Sequence, residues 1–153
     1  MSTLNSATNR AVQEQLNLQV ANWTLLYTKL HNFHWYVKGS NFFTLHAKFE
    51  ELYNEAATYV DDIAERLLAI GGSPVATLKE SLQIATLSEA AGQESADQMV
   101  AAVVSDFEAI VKQLGEGMKA ADEAGDQATS DLLLGIAAAL DKHIWMLNAY
   151  LGK

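Results

Sequence analysis

Cysteine is absent from this 153-residue chain, and proline occurs once, at Pro74. Without cysteine no disulfide can form, which fits a reducing, cytoplasmic setting. With a single proline and abundant alanine and leucine, the composition favours helices. Positive charge is also scarce. Ten basic residues against nineteen acidic ones leave a formal charge of −9, which disfavours a generic nucleic-acid surface and favours one that attracts cations. No apolar run approaches the roughly 18 residues of a membrane span. Residues 1–10 contain no apolar signal core. What is present is apolar content of 50%, enough at this length for a real core, so one domain over residues 1–153 is expected.

The pattern predicts four long helices and a short one. The first runs from about Ser6 to Val37, with an apolar ridge of Leu16, Val20, Trp23, Tyr27, Leu30 and His34 at alternating four- and three-residue steps. Gly39 ends it, and Ser40 or Asn41 is placed to cap the second helix, from about Phe42 to Ile70. The stretch Gly71-Gly72-Ser73-Pro74 is the clearest break in the chain. Thr77 to Glu80 has capping-box form and opens a short helix to about Ala85. Ser95 to Gln98 repeats that form and opens the third long helix, to about Ala121, with Gly115 and Gly117 as weak points. After Gly125-Asp126 the last helix runs to about Leu151. Long helices with short connections make an all-α four-helix bundle, with the short extra helix in the long second-to-third connection.

The second helix carries the chemistry. Phe49, Leu52, Ala56, Tyr59, Ile63, Leu67 and Ile70 form one apolar stripe, directed at the chain's own bundle. His46, Glu50, Asp61 and Glu65 fall on a separate face, together with Tyr53, Ala57, Ala64 and Leu68. A helix apolar on two faces packs on both, and the alanines let a neighbour approach closely. His46 and Glu50 are one turn apart, as are Asp61 and Glu65. The two pairs are fifteen residues apart, about 22 Å of helix axis, so no single ion touches both within one chain. Two copies packed antiparallel about a two-fold axis would bring His46 of one against Asp61 and Glu65 of the other, making two shared sites per dimer.

His34 lies one turn before the end of the first helix, and the Gly39 turn leads quickly to His46, so two imidazoles from adjacent helices can converge on one cation. Two histidines with carboxylates suit divalent iron, manganese or zinc, and iron particularly where coordination positions stay open. His31, one turn earlier, is an accessory candidate. His143 has no carboxylate at a convincing ligand spacing and reads as structural. Intrachain di-iron bundles carry a Glu-x-x-His pair on each of two helices. This chain has none, since the positions three residues before its histidines hold Thr28, His31, Phe43 and Leu140.

At these residues the chain closely resembles the Dps family, the mini-ferritins. The matching stretches are His31-Asn-Phe-His-Trp-Tyr-Val-Lys-Gly39, Asn41-Phe-Phe-Thr-Leu-His46, Val60-Asp-Asp-Ile-Ala-Glu-Arg66, Ala69-Ile-Gly-Gly-Ser-Pro74 and Asp141-Lys-His-Ile-Trp145. The resemblance implies a ferritin-like subunit assembled as a hollow dodecamer of tetrahedral symmetry. It implies ferroxidase sites at two-fold interfaces, with His34 and His46 from one subunit and Asp61 and Glu65 from its partner. Glu50 stands where many members have Asp. The implied chemistry is oxidation of ferrous iron by hydrogen peroxide, or by O2, with storage of ferric mineral and protection from oxidative damage. Glu51 and Glu55 match cavity-facing positions that nucleate mineral. Asp122 and Asp131, ranked above the cap candidate Asp126, match a region lining three-fold pores. Trp35, next to a ligand, packs locally or donates electrons to stray oxidant.

Many Dps proteins also bind DNA through a lysine-rich tail. Here Arg10 is the only basic residue among the first 28, so weak or absent DNA binding is expected without bridging ions. The alternative is a nucleoid-associated, DNA-protecting protein with little iron chemistry.

Overall fold

The structure is a computed structural model that describes residues 6–153. The N-terminal residues 1–5, which form part of the stretch assessed above for a signal and for a basic tail, lie outside the described residues. All secondary structure among the described residues is helical: α1 (Ser6–Tyr36), α2 (Phe42–Ala69), α3 (Leu78–Ile84), α4 (Ala96–Glu123) and α5 (Gln127–Tyr150). α1 packs mainly on α2 and α4 on α5. α1 also meets α4, which closes the bundle, and α3 lies against α1.

Local chemistry explains most boundaries. Gly39 adopts φ +111°, open to glycine and strained for other residues, and its carbonyl accepts from the N–H of Phe42 at 3.1 Å. This tight turn sets the end of α1 beside the start of α2. Ser95 and Gln98 form a complete reciprocal capping box at α4, whereas Thr77 caps α3 through one bond only, from the Glu80 N–H. Asn41 makes no capping bond. Its side-chain amide donates instead to Tyr150 Oη at 2.8 Å, fastening the start of α2 to the end of α5. α4 continues through Gly115 and Gly117, because at Gly117 the missing side chain is what lets α5 approach: a Cβ there would lie 2.9 Å from Leu133 Cδ1.

The core is built around Trp23, Phe33, Phe49 and Phe107, with Leu16, Leu26, Leu30 and Leu52 between them. Tyr27 departs from the expected α1 ridge. It is 41% exposed, and the fully buried Leu26 fills the core beside it. The long connection is held by a polar residue. Asn22, fully buried, accepts from the N–H groups of Thr86 and Leu87 and donates to Thr86 Oγ1 and Gln113 Oε1. Backbone groups that would otherwise be unpaired at this crossover are thereby satisfied. By length and composition α5 is long and apolar enough to cross a membrane, although polar residues interrupt its apolar runs. Its Leu133, Ile136, Leu140 and Leu147 are core residues of the bundle.

Candidate metal centre

The Gly39 turn brings His34 and His46 face to face. Their rings stack at 3.7 Å between centroids and 13° between planes. His34 Nδ1 bonds the backbone carbonyl of His46 at 2.6 Å, and His46 Nδ1 bonds that of His34 at 2.7 Å. A carbonyl only accepts, so each ring carries a proton on Nδ1, and in the neutral imidazole the lone pair is then on Nε2. This is how proteins orient imidazoles that ligate metal: one nitrogen is anchored to the backbone and the other is left free. His34 is buried, His46 half-buried, and Phe42 stacks on the outer side of His46 at 4.9 Å.

Around this pair lies an aromatic cluster. His31 donates from Nδ1 to the carbonyl of Tyr27 at 2.7 Å, so its Nε2 is also free. Its ring stacks on Tyr53 at 3.7 Å and lies 5.2 Å from Trp35, which is 67% exposed. Tyr53 donates its hydroxyl to Glu50 Oε1 at 3.2 Å. Desolvation, and then the neighbouring Glu50 charge, push the phenol pKa up, so the proton stays on the oxygen. Glu50 itself is exposed.

Asp61 and Glu65 stand apart on α2. Both are exposed, and neither has a hydrogen-bond or ion-pair partner within the subunit among the described residues. One subunit does not bring them to the histidines. Among the described residues, the ligand atoms of three or more histidines and carboxylates converge, within 4.8 Å of one another, in one place only: Glu51, Glu55 and His143.

That cluster gives His143, expected to be structural, a carboxylate partner. Its own helix offers no carboxylate at a convincing ligand spacing, but α2 supplies one: His143 Nε2 lies 2.8 Å from Glu55 Oε2. Lys48 Nζ lies 3.2 Å from His143 Nδ1 and 3.1 Å from Glu51 Oε2. An ammonium can only donate, so Nδ1 accepts and Nε2–H donates to Glu55. The hydrogen bond from His143 holds the Glu55 carboxyl below its ordinary range, against a smaller opposing effect of burial. Tyr59, which also donates to Glu55, is pushed up to about 12 by burial and then by the Glu55 charge. Partner and histidine are 88 residues apart in sequence, so helix spacing carries no signal of the contact.

The aspartates near the last break differ in exposure. Asp122 and Asp131 are exposed, and Asp131 accepts from Gln127 Nε2 at 2.8 Å. Asp126 is buried and fully used. It caps α5 by accepting from the Thr129 N–H, and it pairs with Arg66 at 2.9 Å.

A bundle of four long helices with a short helix in the long connection defines the ferritin-like class, and a family model described as "Ferritin-like domain" matches residues 13–153. The chain is 59% identical to DNA protection during starvation protein 2 of Bacillus anthracis, over 95% of this chain and 99% of that one. The crystal structure of a Dps protein from Bacillus brevis superposes with a TM-score of 0.95 at 56% identity, covering 96% of this chain and 99% of that one. A structure of Dps from Listeria innocua soaked with zinc gives a TM-score of 0.90 at 46% identity, over 93% and 97% of the respective chains. The chain belongs to the Dps family.

Proposed function

We propose that this protein is a ferroxidase and iron store whose oxidising sites are shared between subunits. One observation carries the reading. Two imidazoles at one end of the α1–α2 pair are anchored through Nδ1 with Nε2 left open, while two unpaired carboxylates, Asp61 and Glu65, stand fifteen and nineteen residues beyond His46 on α2. The histidines lack acidic partners to complete a cation site, and Asp61 and Glu65 lack a cation. Antiparallel packing of α2 on its copy supplies each half with the other. His34 and His46 of one subunit then face Asp61 and Glu65 of the next, with Glu50 as a further ligand and His31 as an accessory one.

Exposed apolar side chains support a homo-oligomer. Leu68 on the second face of α2, Leu78 and Leu82 on α3, and Trp145 on α5 are each more than half exposed in the isolated subunit. Covering such residues is a main source of assembly energy. Family membership supports extending the reading to a closed dodecamer, with nucleation at Glu51 and Glu55, ion entry past Asp122 and Asp131, and a cytoplasmic location.

In the reaction, ferrous ions are substrates. Two of them give one electron each to one hydrogen peroxide, its O–O bond breaks, and two protons complete two waters. Pairing the electrons avoids the one-electron route to hydroxyl radical. The chain's contribution is placement of the ions and neutralisation of their growing charge by carboxylates.

Mixed assembly tests this arrangement. A subunit carrying His34→Ala and His46→Ala, and one carrying Asp61→Ala and Glu65→Ala, are each expected to be inactive with ferrous iron and peroxide. Random co-assembly makes half of all two-fold pairs mixed, and each mixed pair regains one intact site of its two. About a quarter of the wild-type rate therefore returns, in keeping with the isologous geometry. No recovery in confirmed mixed shells would place the site within single subunits and end the proposal.

A second reading, DNA protection, draws on the name of the Bacillus anthracis relative. The net charge of −9 weighs against it. A gel shift at low salt with chelator separates the two, and tight binding there would favour the DNA reading.

A further inference from the structure

Lys48, His143, Glu51 and Glu55 form an arrangement that the proposed ferroxidase chemistry does not use. The buried His143 is held by a carboxylate on one ring nitrogen and faces a cation on the other. This is the disposition of a metal-ligating histidine, whose second nitrogen donates to a carboxylate while the first points its lone pair at the ion. Here the cation is the chain's own ammonium, held 3.2 Å from Nδ1 and 3.1 Å from Glu51 Oε2.

We infer that each subunit holds a second cation site, in which a divalent first-row transition ion replaces the Lys48 ammonium and binds His143 Nδ1 and the Glu51 carboxylate, with Glu55 anchoring the imidazole from behind. The exchange breaks no covalent bond and needs no tautomer change, because Nε2–H keeps donating to Glu55. Lys48 leaves with its proton, and water completes the ion's shell. Room exists for this movement. Lys48 and Glu51 line an open cavity of about 320 Å³ whose other walls include Thr44, Met146 and Tyr150. An imidazole ligand selects zinc, cobalt or ferrous iron over magnesium or calcium, which prefer oxygen alone. The site thus differs in kind from an all-carboxylate nucleation patch. It deepens the reading of Glu51 and Glu55 without depending on oxidation at the two-fold interface.

Zinc binding to the full assembly carrying His34→Ala, His46→Ala, Asp61→Ala and Glu65→Ala tests the inference with the interface ligands removed. Equilibrium dialysis should still find one zinc per subunit, unaffected by a large excess of magnesium. Adding His143→Asn should weaken that zinc by at least about tenfold, the scale of losing an ordered metal contact. Adding Lys48→Met should tighten it, since the resident competitor is gone. Cobalt(II) should give a visible absorption band that His143→Asn shifts or abolishes. No residual zinc, displacement by magnesium, undiminished binding in His143→Asn, or unchanged or weaker binding in Lys48→Met would each overturn it. The Lys48→Met result decides the matter if His143→Asn does not assemble. Ferroxidase recovery in mixed shells is read separately, so the two proposals fail independently.

Discussion

Arg66 joins α2 to the start of α5: Nη2 donates to Asp126 Oδ1 at 2.9 Å, and Nε donates to Thr129 Oγ1 at 2.9 Å. Arg66 directly follows Glu65, so the helix turn that presents a proposed ligand is braced from behind by the cap of another helix. Hydrogen bonds from Thr129 and the Arg66 charge together outweigh burial and hold the Asp126 carboxyl below its ordinary range.

Asp126→Asn isolates the charge in that brace, because Asn is also a good cap. A lowered carboxyl pKa contributes stability above the unfolded value near 4, and that stability is lost as pH falls through the folded value. The variant should melt below wild type at pH 7, and the gap should close as acid takes the pH down through the lowered value of the folded carboxyl. Asp126→Ala removes the cap as well and should cost about 1–3 kcal/mol at pH 7. Thermal midpoints at pH 7 and in acid check both expectations. A gap for Asp126→Asn that persists unchanged in acid would show that the ion pair is not its source.

Gly115 and Gly117 should respond with opposite signs to alanine. Nothing lies within 4 Å of a Cβ built at Gly115, so Gly115→Ala should stabilise α4 by roughly 0.5–1 kcal/mol through helix propensity alone. At Gly117 the same gain is set against Leu133, whose Cδ1 would be 2.9 Å away in a filled core. Overpacking of this kind costs about 1–3 kcal/mol, so Gly117→Ala should be net destabilising. Denaturation midpoints of the two variants, measured side by side, decide it.

The same residues show what the sequence made legible. Four long helices and the short one were visible because periodicity and caps are local properties. The ends at Tyr36, Ala69 and Tyr150 fall within a residue of expectation, while α4 runs on to Glu123. His34 and His46 were legible as a pair because the intervening turn is short and marked by Gly39. Their reciprocal carbonyl bonds were not, since they depend on the angle between two helices. Asn41 looked like a cap by type but is drawn off by Tyr150, more than a hundred residues away. The carboxylate that His143 meets was hidden for the same physical reason: it comes from another helix. Tyr27 was misplaced because period alone does not separate the edge of a core stripe from an exposed aromatic cluster.

Lys29 and Asp106 supply the last expectation. Lys29 Nζ on α1 lies 2.8 Å from Asp106 Oδ2 on α4, and it also donates to the carbonyl of Ser88 in the crossover at 2.7 Å. Burial raises the Asp106 pKa above its ordinary value, and the lysine only partly opposes it. A carboxyl raised on folding binds its proton more tightly in the folded state, so stability is lost as pH rises through that raised value. At neutral pH, keeping that carboxylate charged therefore costs stability. Removing one member is worse, because the other remains buried and uncompensated: Lys29→Met alone should cost about 3–5 kcal/mol. Replacing both, with Lys29→Met and Asp106→Leu, should recover most of that loss. Wild type should also compare better with the double variant near pH 4 than at pH 7, because the variant has no carboxyl there to titrate. Urea midpoints of wild type, the two singles and the double form a complete cycle. A double variant no more stable than the Lys29 single would mean that the pair stabilises the fold after all.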